Sequence, residues 1–163
     1  MVPLTQQGLK EILHYDMETG VFTWRKHRLR SREHSVAGTP FKGGYIRITI
    51  HRKPHMAHRL AWLYVTGSWP SCEMDHIDGD ESNNAWANLR EATRTQNNCN
   101  RGSHKNNRLG LKGVYQVHDN RFVARIYIDG RSTSLGSFKT AEEAHAAYCN
   151  AAQKHFGEFA RAA

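Results

Sequence analysis

Apolar and polar positions along the chain change period several times, and each change marks an element. Leu9, Ile12 and Leu13 share one helical face behind a capping Thr5, and Asp16 to Gly20 read as a turn into a strand, Val21-Phe22-Thr23-Trp24. Residues 25 to 39 form a basic loop. Strict alternation follows in Tyr45-Ile46-Arg47-Ile48-Thr49-Ile50, with the isoleucines inward and Tyr45, Arg47 and Thr49 outward, as a half-buried strand requires. Residues 51 to 54 are its turn. From Ala57 to Val65 the period lengthens to that of a helix, with Leu60, Ala61, Leu63 and Tyr64 clustered, Gly67 available to end it and Pro70 beyond.

Next come a short strand ending at Asp75-His76, a loop, a second strand near Leu89 to Ala92 and a helix from about Thr93. Residues 102 to 111, GSHKNNRLGL, have the composition of an exposed basic linker. Beyond it lie strands over 114–118, 121–128 and 131–138, divided by Asp119-Asn120 and Asp129-Gly130 turns. Thr140 and Glu143 make a capping box that opens a helix with Ala144, Ala147, Tyr148, Ala151 and Ala152 on one face, ending at Gly157. The predicted fold class is α+β. It comprises a basic N-terminal strand/helix region over 1–71, a strand-strand-helix motif over 72–101, a linker over 102–111, and a three-stranded antiparallel sheet with one helix over 112–163.

The chain has 163 residues, enough for one domain or a few small modules at roughly 100 to 200 residues per domain. No apolar run approaches the roughly 20 residues of a membrane span, and MVPLTQQGLKEILHY lacks a secretory h-region, so a soluble intracellular protein is expected. Cys72, Cys99 and Cys149 are odd in number and contain no CxxC pair, which argues against disulfides and against a structural zinc knuckle. His51, His55 and His58 cross a predicted turn and lack a fourth ligand, so no zinc is expected there either; His58 is read as packing beside the 72–101 motif.

The net charge of +8 points to a polyanionic partner, and its distribution says more. Residues 1–71 carry 11 basic and 4 acidic side chains, residues 72–101 carry 3 and 6, and residues 102–163 carry 9 and 5. Two basic flanks hold an acidic centre. Either the flanks grip phosphate while the centre recruits a cation, or the centre is a solvated loop.

An EF-hand opening at Asp78 is excluded, because Asn83 and Leu89 stand where glycine and glutamate are needed. What remains is Asp75-His76, Asn88-Leu89-Arg90 twelve residues past the histidine, and Asn97 nine residues past Asn88. If strand, strand and helix converge, the Asp75 carboxylate and the Asn97 amide oxygen are hard ligands suited to one Mg²⁺ or Mn²⁺. His76 would then take a proton from water, since an imidazole of pKa about 6.5 is largely neutral near pH 7. Asp78 and Asp80 read as solvated loop acids. Arg90 and Arg94 either contact a phosphate or neutralise neighbouring carboxylates.

The D-H-x-D-G, N-N, N-L-R and T-x-x-x-N-x-x-N pattern over about thirty residues resembles the HNH nuclease motif in its H-N-N form, found in phage and intron homing endonucleases. GYIRITI and HRLAWLYVTGSWP upstream are similar to what precedes that motif. The resemblance implies a ββα-metal core with His76 as general base, Asp75 and Asn97 as metal ligands, and Asn88 fixing the loop and orienting the histidine. It also implies a phage or mobile-element origin and therefore a host-cell cytoplasmic location.

The segment from Lys112 onward, with K-G-V, an A-x-I strand, S-L-G-S-F, T-A-E-E-A, A-Y-x-x-A-A and G-x-F-A, resembles the AP2 DNA-binding domain over about fifty residues. That likeness implies a sheet lying in the major groove of duplex DNA. Phe122, Ala124, Ile126 and Ile128 then face the helix, while Arg121, Arg125 and Tyr127 face away together with Lys112, Tyr115, Ser132 and Ser134. Arg125 is the side chain expected to reach a base edge. Tyr115, Val117, Ser132 and Ser134 replace the arginine and tryptophan common in plant members, so the target sequence does not transfer.

The expected function is site-specific hydrolysis of duplex DNA by a monomer or weak dimer, leaving a 3′ hydroxyl and a 5′ phosphate. The competing expectation is a DNA-binding regulator with a decayed nuclease motif.

Overall fold

The computed structural model describes residues 3–25, 34–103, 106–128 and 130–161. Most of the predicted basic loop (26–33), His104 and Lys105 of the predicted linker and Asp129 of the second hairpin turn lie outside the described residues. The chain divides into two compact units, residues 1–91 and 92–163. The predicted linker therefore lies within the second unit.

The first unit begins with α1 (Gln6–Ile12), whose N-terminus is capped by the Thr5 hydroxyl accepting from the Gly8 N–H. Leu13 leaves the helix and starts β1 (Leu13–Tyr15), which pairs antiparallel with β2 (Phe22–Trp24). The predicted helix face thus ends one residue early, and a strand not foreseen takes over. A second sheet orders β3 (Thr39–Pro40), β4 (Ile46–Ile50) and β5 (Lys53–Met56) antiparallel, with His51 and Arg52 in positive-φ turn positions. Ile48 and Ile50 are buried as the alternation predicted. The second half of the predicted turn is in fact the edge strand β5. Pro54 is tolerated there because an edge strand leaves one side unpaired.

α2 (Ala57–Thr66) ends at Gly67, which adopts a left-handed conformation and returns its N–H to the Leu63 carbonyl. Its inner face joins Leu9, Leu13, Phe22, Ile48 and Ile50 in one core, to which Met74 and Leu89 also belong. Each of these aliphatic side chains contributes roughly 1.5–3 kcal/mol by leaving water. Met74 sits on β6 (Glu73–His76) and Leu89 on β7 (Leu89–Ala92), which form a two-stranded sheet. The core therefore anchors both strands that carry the central motif.

The loop between β6 and β7 is held from outside by the β1–β2 turn. Asp16 closes that turn by accepting the Glu18 and Thr19 N–H groups on one carboxylate oxygen. Tyr15 donates its hydroxyl to the Asn84 carbonyl at 2.6 Å, and the Trp86 N–H reaches the Met17 carbonyl at 2.9 Å. Gly20, at φ +73°, comes so close that a Cβ would sit 2.2 Å from the Asn84 carbonyl carbon and 2.3 Å from the Ala85 nitrogen.

The second unit opens with α3 (Arg94–Asn100), capped by a reciprocal Thr93–Gln96 box. A three-stranded antiparallel sheet follows, ordered β10 (Arg131–Phe138), β9 (Arg121–Ile128), β8 (Val114–His118). These strands lie where the alternation placed them. α4 (Ala141–Phe156) starts with the predicted Thr140–Glu143 box and buries Ala144, Tyr148 and Ala152 against Ala124 and Ile126. Leu109 and Leu111, in the predicted linker, pack on this core as well. No helix among the described residues is long and apolar enough to cross a membrane.

Replacing Gly20 with alanine imposes a left-handed backbone on an L-residue and drives a methyl group into the Asn84–Ala85 peptide. The expected loss is more than about 2 kcal/mol. All four tryptophans lie in the first unit. A clearly lowered urea midpoint by tryptophan fluorescence is the expected result, and an unchanged midpoint would show that the close approach carries no energy.

Candidate active site

β6 ends in Asp75 and His76, and both are nearly inaccessible, at 3% and 4% exposure. A buried carboxylate needs a cation or several donors to offset its desolvation. Arg90 of β7 supplies them, with Nε at 2.9 Å and a terminal nitrogen at 2.8 Å from the same Asp75 oxygen, Oδ2. Of the two predicted roles for Arg90, neutralising a neighbouring carboxylate is the one its geometry displays. Arg94, at the start of α3 in the second unit, is exposed.

Rings enclose His76. His58, on the first turn of α2, meets it edge to face, with ring centroids 5.2 Å apart and planes at 87°. Tyr45 lies 5.4 Å from His58 and 6.0 Å from His76. Burial, then the neighbouring His76 and Arg59, push the His58 pKa down to about 3, so its ring stays neutral. Its Nδ1 is buried with no hydrogen-bond partner. The expectation that His58 packs beside the motif agrees with this position. His51 lies in the β4–β5 turn and His55 stacks on Trp69 at 5.6 Å. Among the described residues no three His, Cys, Asp or Glu side chains are placed to hold a metal ion.

The loop from Ile77 to Asn88 carries its own internal bonding. Asn88 accepts the Asp78 N–H on Oδ1 at 3.0 Å and donates from Nδ2 to the Asp78 carboxylate at 2.9 Å and to the Asn83 carbonyl at 2.8 Å. Asn83 donates to the other Asp78 oxygen at 2.6 Å, and Asp80 accepts from the Ser82 N–H and hydroxyl. Burial raises the Asp78 carboxyl pKa, but the Asp80 N–H, Asn83 and Asn88 outweigh it and hold the group below its ordinary value. Asp78 is thus more than a solvated acid, because it is the hub to which the loop is tied. Asn88 fixes the loop through its side chain, and all three of those bonds go to Asp78 and Asn83.

Sequence reasoning passed over Asn84. It is 2% exposed, its Nδ2 donates to the Ser82 carbonyl at 2.9 Å, and its Oδ1 lies 3.4 Å from His76 Nε2. The N-N pair in the motif was the available signal, but residue type alone does not tell which of three nearby asparagines reaches the histidine.

A hard divalent cation that completes its shell with water and substrate phosphate needs few protein oxygens. The buried Asp75 carboxylate is chemically such a donor, with Arg90 balancing part of its charge. Asn97 stands on α3, in the second unit, half-buried.

In the second unit, Arg121, Tyr115, Arg125, Tyr127 and Ser134 are all exposed, and Tyr115 and Tyr127 are 56% and 63% so. Their inward neighbours Phe122, Ala124, Ile126 and Ile128 pack toward α4, as the alternation predicted. The Arg125 guanidinium lies over the Tyr115 ring at 5.7 Å. Lys112 requires a correction. It is not on this outward surface, because its ammonium turns inward and donates to the carbonyls of Cys99 and Arg161. Burial lowers its pKa accordingly.

Residues 55–99 match the HNH endonuclease family. The β6 and β7 strands, the buried Asp75-His76 pair and α3 as far as Cys99 thus fall within the segment that matches this family. Over 105 residues the chain is 35% identical to "Uncharacterized HNH endonuclease L560" of Acanthamoeba polyphaga mimivirus, a match covering 63% of this chain and 54% of that protein. The chain therefore spans about half the length of the curated relative it matches.

Asn88→Ala removes the acceptor of the Asp78 N–H and one donor to its carboxylate. The Asp78 amide should then exchange faster, and its carboxyl should titrate at a higher pH. A depressed folded-state carboxyl pKa stabilises above the unfolded value of about 3.9 and is lost as pH falls through the folded value. In the variant the stabilisation should be smaller and its loss complete at a higher pH, as the raised titration midpoint in carboxyl chemical shifts will record.

Proposed function

We propose that this protein is a site-specific, homing-type DNA endonuclease that hydrolyses one phosphodiester per active site. The observation that carries the reading is a buried Asp-His pair ending a core-anchored strand inside the segment that matches the HNH endonuclease family. His76 takes a proton from water, and the resulting oxygen bonds to phosphorus as the bond to the 3′ oxygen breaks. The 3′ oxygen leaves and gains a proton from solvent, giving a 3′ hydroxyl and a 5′ phosphate. Asp75 and Asn97 would hold one divalent cation, Mg²⁺ or Mn²⁺, which when bound supplies charge stabilisation at the leaving oxygen. Asn88 keeps its loop tied to Asp78 and Asn83, and Arg90 holds the Asp75 carboxylate in place.

DNA binding is assigned to the exposed face of the β8–β9–β10 sheet, with Arg121, Arg125, Tyr115, Tyr127 and Ser134, and to Arg94 near the nuclease motif. The basic flanks supply sequence-independent attraction to phosphate. A sheet backed by one helix and presenting alternate basic and aromatic side chains supports an AP2-like mode in the major groove. Arg125→Ala should cost about 1–3 kcal/mol in discrimination between target and non-target duplexes if it meets a base edge. A uniform weakening across all sequences would instead make it a phosphate contact.

Incubation with supercoiled plasmid and Mg²⁺ tests the activity, with open-circle product reporting nicking and linear product double-strand cleavage. His76→Ala should lower the cleavage rate by about 10²- to 10⁴-fold with duplex affinity intact. Tight binding with no cleavage by the unaltered protein in either metal would establish the non-catalytic regulator instead.

A further inference from the structure

We propose that the second unit carries a cleft for an unpaired DNA nucleotide beside the sheet face assigned to the duplex, an inference that rests on the DNA-cleaving reading above. The cleft has a volume of about 910 Å³ and is lined by the last turn of α3, residues 101–102 and 106–109, and the start of β8. Pockets that hold small ligands run to about 300–1,000 Å³, so the volume suits a nucleotide rather than a double helix. Its chemistry divides as a nucleotide divides. Arg101, Arg108 and Lys112 bring three cations, and none of the described residues lining the cleft is acidic. Tyr115 and Tyr127 bring two rings, and Asn98, Asn106 and Gln116 add exposed amides able to donate to and accept from base edges. Cations and amides would serve any phosphate, but the tyrosines narrow the choice. In a duplex each base face is covered by its neighbours in the stack, so only an unpaired base offers its face to a protein ring. Turning a nucleotide out of the stack costs its pairing, and stacking on the protein offsets that loss. The Arg125 guanidinium already lies over Tyr115, so Tyr127, the more exposed of the two, is the main platform.

The walls of the cleft are fixed in advance. Lys112 donates to the carbonyls of Cys99 and Arg161, which ties the end of α3 to the residue that leads into β8. Asn107 fixes another wall, donating from Nδ2 to the Leu111 carbonyl at 2.6 Å and accepting the Leu109 N–H on Oδ1 at 3.1 Å. Leu109 and Leu111 are themselves packed on the core of the unit. Arg108 is thereby held between two anchored residues while its own side chain stays exposed. A site ordered before its ligand arrives loses less freedom on binding.

The test measures binding of the full chain, in EDTA so that nothing is cut, to two fluorescent duplexes that differ only in a bulge of three unpaired thymines. The bulged duplex should bind about 5- to 100-fold tighter, the gain expected of one base stacked on an aromatic ring. Tyr127→Ala should abolish most of this preference and Tyr127→Phe should keep it, because the ring face and not the hydroxyl makes the stack. Arg101→Ala combined with Arg108→Ala should weaken the bulged duplex more than the paired one. A 5-iodouracil placed in the bulge should crosslink under ultraviolet light to a peptide containing Tyr115 or Tyr127, a result on the unaltered protein that does not depend on any variant's folding. Equal affinity for the two duplexes, a preference that survives Tyr127→Ala, equal weakening of both by the arginine pair, or a crosslink only outside the cleft would overturn the inference. Tighter binding of single-stranded RNA than of single-stranded DNA of the same sequence would overturn it too, in favour of an RNA site. In each of these cases plasmid cleavage by the same preparation in Mg²⁺ would leave the nuclease reading standing, whereas failure to bind or cut any DNA would overturn both.

Discussion

The contact between the β1–β2 turn and the Asn84–Ala85 peptide is the constraint from which the site's geometry follows. A glycine hydrogen in place of a methyl group lets two backbones approach to a separation no other residue allows. The Tyr15 hydroxyl then fastens the same peptide by its carbonyl. Because β1 and β2 are rooted in the core through Leu13, Tyr15, Phe22 and Trp24, the position of Asn84 is set by hydrophobic burial many residues away in sequence. The opposite edge of the loop is tied by Asn88 and Asp78. A polar loop that would be mobile by itself becomes part of the rigid frame.

Charge is handled inside this frame by pairing one group and suppressing another. Asp75 keeps a carboxylate away from water because Arg90 meets it with two nitrogens from the neighbouring strand. His58 has no such partner at Nδ1 and remains neutral, which spares the site a second positive ring beside His76. The result is a basic protein whose most buried ionisable groups are locally balanced. Its excess of positive charge is left to the surface, where it can attract phosphate over about 10 Å at moderate salt.

Elements with an unambiguous period were legible before any coordinates. Ile48 and Ile50, the three strands of the C-terminal sheet and the Thr140–Glu143 box follow directly from alternation and capping chemistry. β1 was hidden because Leu13 extends the apolar face of α1, and three residues are too few to announce a new period. β5 was hidden by Lys53 and Pro54, which read as turn residues unless the strand lies at a sheet edge. At the site, Asp75 and His76 stood out by spacing, yet the asparagine that touches the histidine did not. Asn83, Asn84 and Asn88 are chemically alike, and only the fold assigns one to the ring and two to the loop. Lys112 shows the same limit, since no pattern along the chain reveals that its ammonium is turned toward two carbonyls.

The double fastening of the β6–β7 loop also bears on how this sequence can drift over generations. Between His76 and Asn88 the path is clamped at Asp78, Asn83, Asn84 and Asn88, with the Trp86 N–H caught by Met17. An added or deleted residue would throw every later clamp out of step. Natural variation here should therefore proceed by exchange of side chains at exposed positions such as Ala87, while the number of residues stays constant.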